Sequence, residues 1–399
     1  MLYEEKIIET IPVGPLGLIP LKSCTGLGKK VDDYLVEWRR ERESEHKSTI
    51  AFSGYQRDSY ILEANTPRFG SGEGKGTIEE SVRGDDLYIM VDVCNYSLTY
   101  SLFGMTNHMS PDDHFQDLKR IIAAAAGKAR RINVIMPFLY ESRQHKRSGR
   151  ESLDCAMALE ELISMGVSNI ITFDAHDPRV QNAIPLSGFD NFMPTYQFVK
   201  ALFTHDTSLK IDKDHLMIIS PDEGAMNRAV YLANNLGVDM GMFYKRRDYS
   251  RVIDGRNPIV AHEFLGTSVE GKTVLIIDDM IASGESMLDT ARELKERKAE
   301  KVIICCTFGL FTAGLEKFDQ YYQNGYIDYV ITTNLNYRPK ELLDREWYLE
   351  ADMSKYLAAI INSFNHDVSI GAALSPTEKI QKLVKRYQAG GYDYYQTIQ

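Results

Sequence analysis

Short apolar runs, too brief for helices, alternate along this chain with longer amphipathic stretches. LGLIPL, DLYIMVDV (86–93), INVIMPF (132–138) and NIITF (169–173) read as strands, with GKKVDDYLVEWRRER and ESLDCAMALEELISMG as helices among them. The rhythm returns with LMIIS (216–220), a helix over GAMNRAVYLANNLG, VLIID (274–278), a helix over ESMLDTARELKERKA, KVIICCTFG and IDYVITTN (327–334). A strand followed by a helix and another strand brings the chain back in the same direction. This order therefore dictates largely parallel sheets covered by helices on both faces. At 399 residues the chain exceeds what one core comfortably fills, so the repeat divides it into two α/β halves, without a clean residue-level repeat between them.

Charge narrows the possible partners. A formal net charge of −10 argues against a broad surface for a nucleic-acid polymer, which needs cations. No apolar run approaches a membrane span, and the opening MLYEEKIIET is acidic where a secretory leader is basic. Cys24, Cys94, Cys155, Cys305 and Cys306 are scattered with no CxxC pair, the pattern of reduced and mostly buried thiols. A cytoplasmic protein with no membrane partner is expected.

Ligands of open parallel sheets gather beyond the carboxyl ends of the strands. Four such ends here carry unusual residues: LYESRQHKRSGRES after INVIMPF, DAHD after NIITF, PDEGAMNR after LMIIS, and DDMIASGES after VLII. Any one alone reads as a solvated loop, and DAHD as a capped turn with Asp174 and Asp177 as turn formers. Together they offer complementary charge. Arg143, Lys146, Arg147 and Arg150 suit a polyphosphate, and His176 with Asp222 suits a metal ion or an oriented water. In DDMIASGES, Asp278 and Asp279 precede Ser283-Gly284-Glu285-Ser286 at a helix start, where backbone amides bind phosphate. Paired carboxylates match hydroxyls or a metal instead, so the turn points to a ligand with a sugar and a phosphate. YKRRDYSR (244–251) reads either as a solvated basic loop or as a basic lid. Neither GxxxxGK[ST] nor GxGxxG occurs.

ESVRGDDLYIM, MPFLYESRQHKR, ITFDAHDPRVQ, SPDEGAMNRAVYLANNLGVDMGMFYKRR and VEGKTVLIIDDMIASGES follow one another as in the ribose-phosphate pyrophosphokinase (PRPP synthetase) family, which the chain resembles over roughly residues 15 to 375. The resemblance implies two tandem phosphoribosyltransferase-like domains. One is expected over 1–197, completed by 366–399, and the other over 198–365 with the ribose-phosphate motif. It implies transfer of the β,γ-diphosphoryl group of ATP to the C1 hydroxyl of ribose 5-phosphate, giving PRPP and AMP, with Mg²⁺ as cofactor.

By the same resemblance, Asp278 and Asp279 hold the ribose hydroxyls, and Ser283, Gly284, Glu285 and Ser286 cradle the 5-phosphate. His176 and Asp222 are the Mg²⁺-linked positions, and Arg143 and Gln144 contact ATP. Lys245 and Arg247 belong to a basic lid that stabilises the transferring phosphoryl charge, so Lys245, Arg247 and His176 are the catalytic candidates. Phe69, Ser71 and Glu73 match an adenine-contacting loop supplied by a neighbouring subunit, which implies a homo-oligomer, a hexamer or another dimer-based assembly. Departures stand at His145, where the family has Asp, at Ala282, where it has Asp, at Ser71 and at Glu285. Two other readings share these features: a catalytically silent paralogue that regulates active subunits, and a phosphoribosyltransferase that consumes PRPP.

Overall fold

In the computed structural model, which describes residues 10–44, 54–247 and 259–390, each apolar run named above is a strand. The elements are, in chain order, β1 (Leu16–Pro20), α1 (Thr25–Ser44), β2 (Ala64–Asn65), β3 (Thr77–Ile78), β4 (Asp86–Met90), β5 (Thr99–Leu102), β6 (Met105–His108), α2 (Pro111–Ala125), β7 (Arg131–Ile135), α3 (Asp154–Ser164), β8 (Asn169–Phe173) and β9 (Gly188–Phe192). There follow α4 (Thr195–His205), β10 (Leu216–Ser220), α5 (Met226–Leu236), β11 (Asp239–Arg247), β12 (Ile259–Leu265), β13 (Thr273–Ile281), α6 (Glu285–Glu296), β14 (Lys301–Gly309), α7 (Glu316–Gln323), β15 (Tyr329–Thr333), α8 (Lys340–Leu343), β16 (Tyr348–Ala351), α9 (Ser354–Asn365), α10 (Gly371–Leu374) and α11 (Thr377–Gln388).

These elements form two units, each a mostly parallel sheet flanked by helices. The first has strand order β1-β4-β7-β8-β9, parallel throughout. The second has order β12-β11-β10-β13-β14-β15-β16, parallel except for the edge strand β12. Continuous burial along β4 and β10 follows from helices on both faces, which is why these strands read as unbroken apolar runs. The edge strands β9 and β16 lack that signature, and sequence reading missed both of them as well as β12.

By internal contacts the first unit takes in 334–337 and 352–374, and residues 375–390 pack with the second. Buried polar chemistry fixes the first assignment. Asn365 Nδ2 donates to Asp86 Oδ2 at 2.9 Å, and Arg39 Nη2 donates to Asn365 Oδ1 at 2.7 Å. Asp86 is also gripped by Arg131 at 2.7 and 2.9 Å and by Asn133 at 2.9 Å. A buried carboxylate needs such saturation, so α9 cannot leave without exposing unpaired charge. Apolar packing fixes the second: Ile380, Leu383 and Val384 of α11 enter the core that holds Phe203, Leu216 and Leu275.

Candidate active site

Adjacent parallel strands β10 and β13 bring two acidic turns of the second unit together. Beyond β10, Ser220 Oγ donates to the Asp222 carbonyl at 2.6 Å, and Asp222 Oδ1 accepts from the Gly224 amide at 2.9 Å. This closed turn fixes the Asp222 carboxylate before α5 begins. At the end of β13, Asp278 and Asp279 point to opposite faces, as successive strand residues must. Asp279 is 3% exposed and lies 3.8 Å from Arg228 Nη2. Asp278 Oδ1 accepts from the Asp279 amide at 2.9 Å. Desolvation, followed by the Asp279 and Asp222 charges, pushes the Asp278 pKa well above the ordinary carboxylate value.

The chain then turns into α6. Gly284 has φ 85°, and a Cβ there would lie 2.5 Å from the Phe318 ring, so both conformation and space require glycine. The N-cap residue Gly284 has no side chain to contribute, and Ser283 Oγ, just before it, accepts from the Glu285 amide at 3.5 Å, so hydroxyl and backbone donors gather at the start of α6. The carboxylate of Glu285 forms an ion pair with Lys317 at 2.9 Å. That contact, between residues far apart in sequence, had no sequence signal; neither did the Phe318 wall beneath Gly284. Arg228, within SPDEGAMNR, brings a cation to this cluster, a role that its place in the sequence does not signal.

In the first unit, β8 ends in a turn that holds Asp174 at φ 41°, with its amide donating to the Phe192 carbonyl at 2.9 Å. His176, exposed, is next to Asp177, which accepts from the Arg179 amide at 3.0 Å and the Arg179 guanidinium at 2.9 Å. The Arg179 contact holds the Asp177 pKa at about 2. From the loop after β7, His145 Nε2 comes within 3.4 Å of Asp177 Oδ2, and its ring meets the His176 ring at 5.3 Å between centroids. Gln144 is turned into its own loop, its amide nitrogen donating to the Ser152 carbonyl at 2.8 Å, while Arg143 is exposed.

Residues 64–78 fold back as the β2–β3 hairpin, so the loop implied by the resemblance is the tip of a strand pair. At its tip Phe69 is 54% exposed, its amide donates to the Glu73 carbonyl at 2.7 Å, and Ser71 Oγ donates to Glu73 Oε2 at 2.8 Å. Thus Phe69, Ser71 and Glu73 share one turn. Lys245 and Arg247 lie on β11, where Lys245 pairs with His262 and Arg247 with Ile259 across a register shift. The expected lid therefore begins as strand; the part of it from 248 to 257 lies outside the described residues. Among the described residues no three His, Cys, Asp or Glu side chains converge as a metal cluster, and no helix is long and apolar enough to cross a membrane.

Residues 16–166 match the N-terminal domain of ribose phosphate pyrophosphokinase, and residues 200–336 match the phosphoribosyl transferase domain. The chain is 30% identical to ribose-phosphate pyrophosphokinase of Ralstonia nicotianae over 249 residues, 62% of this chain and 70% of that protein. It is 30% identical to the Mycoplasma pneumoniae protein of the same name, covering 67% of this chain and 74% of the relative. With that of Vibrio parahaemolyticus it shares 28% identity over 78% of this chain and 90% of the relative. In fold it is similar to phosphoribosylpyrophosphate synthetase from Mycobacterium smegmatis, with a TM-score of 0.66 and 22% identity, covering 87% of this chain and 98% of that one.

Proposed function

The chain belongs to the ribose-phosphate pyrophosphokinase family, transferases of class 2.7.6, and from that premise we propose that it moves the β,γ-diphosphoryl group of ATP to the C1 hydroxyl of ribose 5-phosphate, giving PRPP and AMP. The observation that carries this reading is the turn after β13. It pairs two acids with a glycine-bearing helix start at which the Glu285 carboxylate is drawn onto Lys317.

In this reading Asp278 and Asp279 accept hydrogen bonds from the ribose 2- and 3-hydroxyls, and residues 283–286 receive the 5-phosphate through amides and hydroxyls. Glu285 contributes its backbone, because a carboxylate beside phosphate would repel it. Arg143 and Gln144 take the nucleotide, and Phe69, Ser71 and Glu73 receive the adenine of a neighbouring copy in a homo-oligomer. The exposure of Phe69 is consistent with such a role.

His176 and Asp222 would hold Mg²⁺. The Asp222 carboxylate fits an ion that prefers oxygen and relies on substrate phosphates more than on a protein cage, and the His176 imidazole would reach it through one of the waters it keeps. When bound, the ion supplies neutralisation of polyphosphate charge. The chain's own part is positioning and charge: Lys245 and Arg247 offset the charge on the transferring phosphoryl group, and the acids hold the sugar for in-line attack by its C1 oxygen. A cytoplasmic setting agrees with this chemistry.

The test is incubation with ATP, Mg²⁺ and ribose 5-phosphate. AMP is expected in step with sugar use; ADP formed in its place would sink the proposal. Ala282 and His145 favour one second reading, a silent regulatory paralogue. It predicts no AMP from the chain alone and altered activity of an active subunit mixed with it.

A further inference from the structure

The glycines of RFGSGEGKG (68–76) mark where neighbours press on the tip of the β2–β3 hairpin. Gly72 has φ 91°, and a Cβ there would lie 2.8 Å from Leu102 Cδ1 on β5. Past the tip, a Cβ at Gly74 would lie 2.8 Å from Arg120 Cζ, and one at Gly76 2.7 Å from the Arg120 backbone, both on α2. Arg68, bridged across the tip to Gly74, reaches Asp113 at 3.5 Å and Asp117 at 3.3 Å on α2. Its guanidinium also lies over the Tyr100 ring of β5, 5.0 Å from the centroid.

The β5–β6 hairpin is a two-stranded sheet of its own. Leu102 faces Met105 across a turn in which Phe103 and Gly104 both have positive φ, a geometry that follows the strand twist and fixes the register. A ribbon of two strands is marginal by itself, and Phe103 at its tip is 81% exposed. Tyr100 and Leu102, two residues apart on one face, are the side chains that meet the β2–β3 tip. That tip has glycine at 70, 72, 74 and 76, so ordering it costs much chain entropy, which contacts on both sides must offset.

We propose that Leu102, with Tyr100, is a positioning residue for ATP. Strand β5 braces the tip so that Phe69, Ser71 and Glu73 stand in one arrangement before a nucleotide arrives. This rests on the adenine-receiving role proposed above for those three residues. Holding a binding turn in its bound form removes the cost of ordering it, so the brace acts on ATP and not on ribose 5-phosphate.

Hydrogen exchange over 66–76 reads the brace with no ligand present, because the Phe69 and Gly72 amides are tied to the Glu73 and Phe69 carbonyls at 2.7 and 2.8 Å. Leu102→Ala should speed exchange there while the melting temperature stays unchanged. In calorimetry with Mg²⁺ it should bind ATP about tenfold more weakly, with ribose 5-phosphate within about twofold. Leu102→Met refills the space against Gly72 and should restore both readings. Phe69→Ala, which removes a proposed adenine contact and leaves the brace in place, is the control.

Unchanged exchange in Leu102→Ala overturns the proposal. So does unchanged ATP binding in Leu102→Ala where Phe69→Ala weakens it, and there the adenine assignment stands. A lowered melting temperature with equal losses for both substrates, not restored by methionine, also overturns it and makes Leu102 a packing residue only. If exchange quickens but neither Leu102→Ala nor Phe69→Ala changes ATP binding, the adenine assignment has failed and the positioning role falls with it.

Discussion

At the residue scale the site is built from groups that are costly to the fold. Asp278 retains its proton to higher pH than an unfolded aspartate, because burial and two neighbouring carboxylates oppose its ionisation. Above the unfolded pKa the unfolded chain has lost that proton while the folded chain still binds it, so stability falls as pH rises. Asp278→Asn should therefore stabilise the protein at neutral pH by about 1 kcal/mol, the low end for a poorly satisfied buried charge, as read in urea unfolding. The same substitution should weaken ribose 5-phosphate by roughly 1.5–3 kcal/mol and leave ATP nearly unchanged. Equal losses for the two substrates would make the acid a structural or metal-binding group. Lys245 tests the other half of the proposal. If it acts on charge that develops during transfer, Lys245→Ala lowers kcat strongly with little change in the KM for ATP, whereas simple clamping raises KM alone. The acids were legible because two carboxylates at a strand mouth are rare. The Lys317 partner of Glu285 was not, since nothing in the sequence says which distant helix faces a given turn.

At the element scale, ion pairs pin helices to the sheet of the second unit. Lys301, the first residue of β14, reaches Asp206 at the end of α4 at 2.7 Å. Although burial opposes its ionisation, the Lys301 and Ser208 hydrogen bonds lower the Asp206 pKa, and Asp206 raises that of Lys301. The carboxylate's share of stability is present above the ordinary aspartate value and lost as pH falls through the lower folded value. The ammonium's share is present below the ordinary lysine value and lost as pH rises through the higher one. Asp206→Asn should cost about 1 kcal/mol near neutrality, since Lys301 stays partly solvated. Chemical denaturation across pH should show the two proteins converging at acid pH. Helices and inner strands were readable from period and burial. The strands β9, β11, β12 and β16 were not, because partner strands, not composition, make them strands.

At the scale of the whole molecule, the path of the C-terminal segment decides what each unit contains. Residues 352–374 close the first unit and α11 closes the second. A chain ending at Leu374 should lose the Ile380, Leu383 and Val384 packing and the hydrogen bond from Tyr387 to the Asp206 carbonyl. Calorimetry should then show the transition of the second unit falling by 10 °C or more, on the order of several kcal/mol from three buried aliphatic side chains, with that of the first nearly unmoved. A shared fall in both transitions would mean that the units do not unfold separately.

The sequence by itself determined the alternation of strands and helices, the inner strands of both sheets, and the acidic and glycine-bearing turns at their ends. Those properties are local: a buried parallel strand must be apolar along its length, and a turn that binds a phosphate needs small residues at a helix start. Only the tertiary structure decided that Asp278 and Asp279 meet different surroundings, that Glu285 is turned onto Lys317, and that His145 sits between Asp177 and His176. It also decided which unit each part of the C-terminal segment completes. Each of these depends on residues distant in sequence becoming neighbours, and the charge state or hydrogen bonding of a side chain is set by those neighbours rather than by its own type.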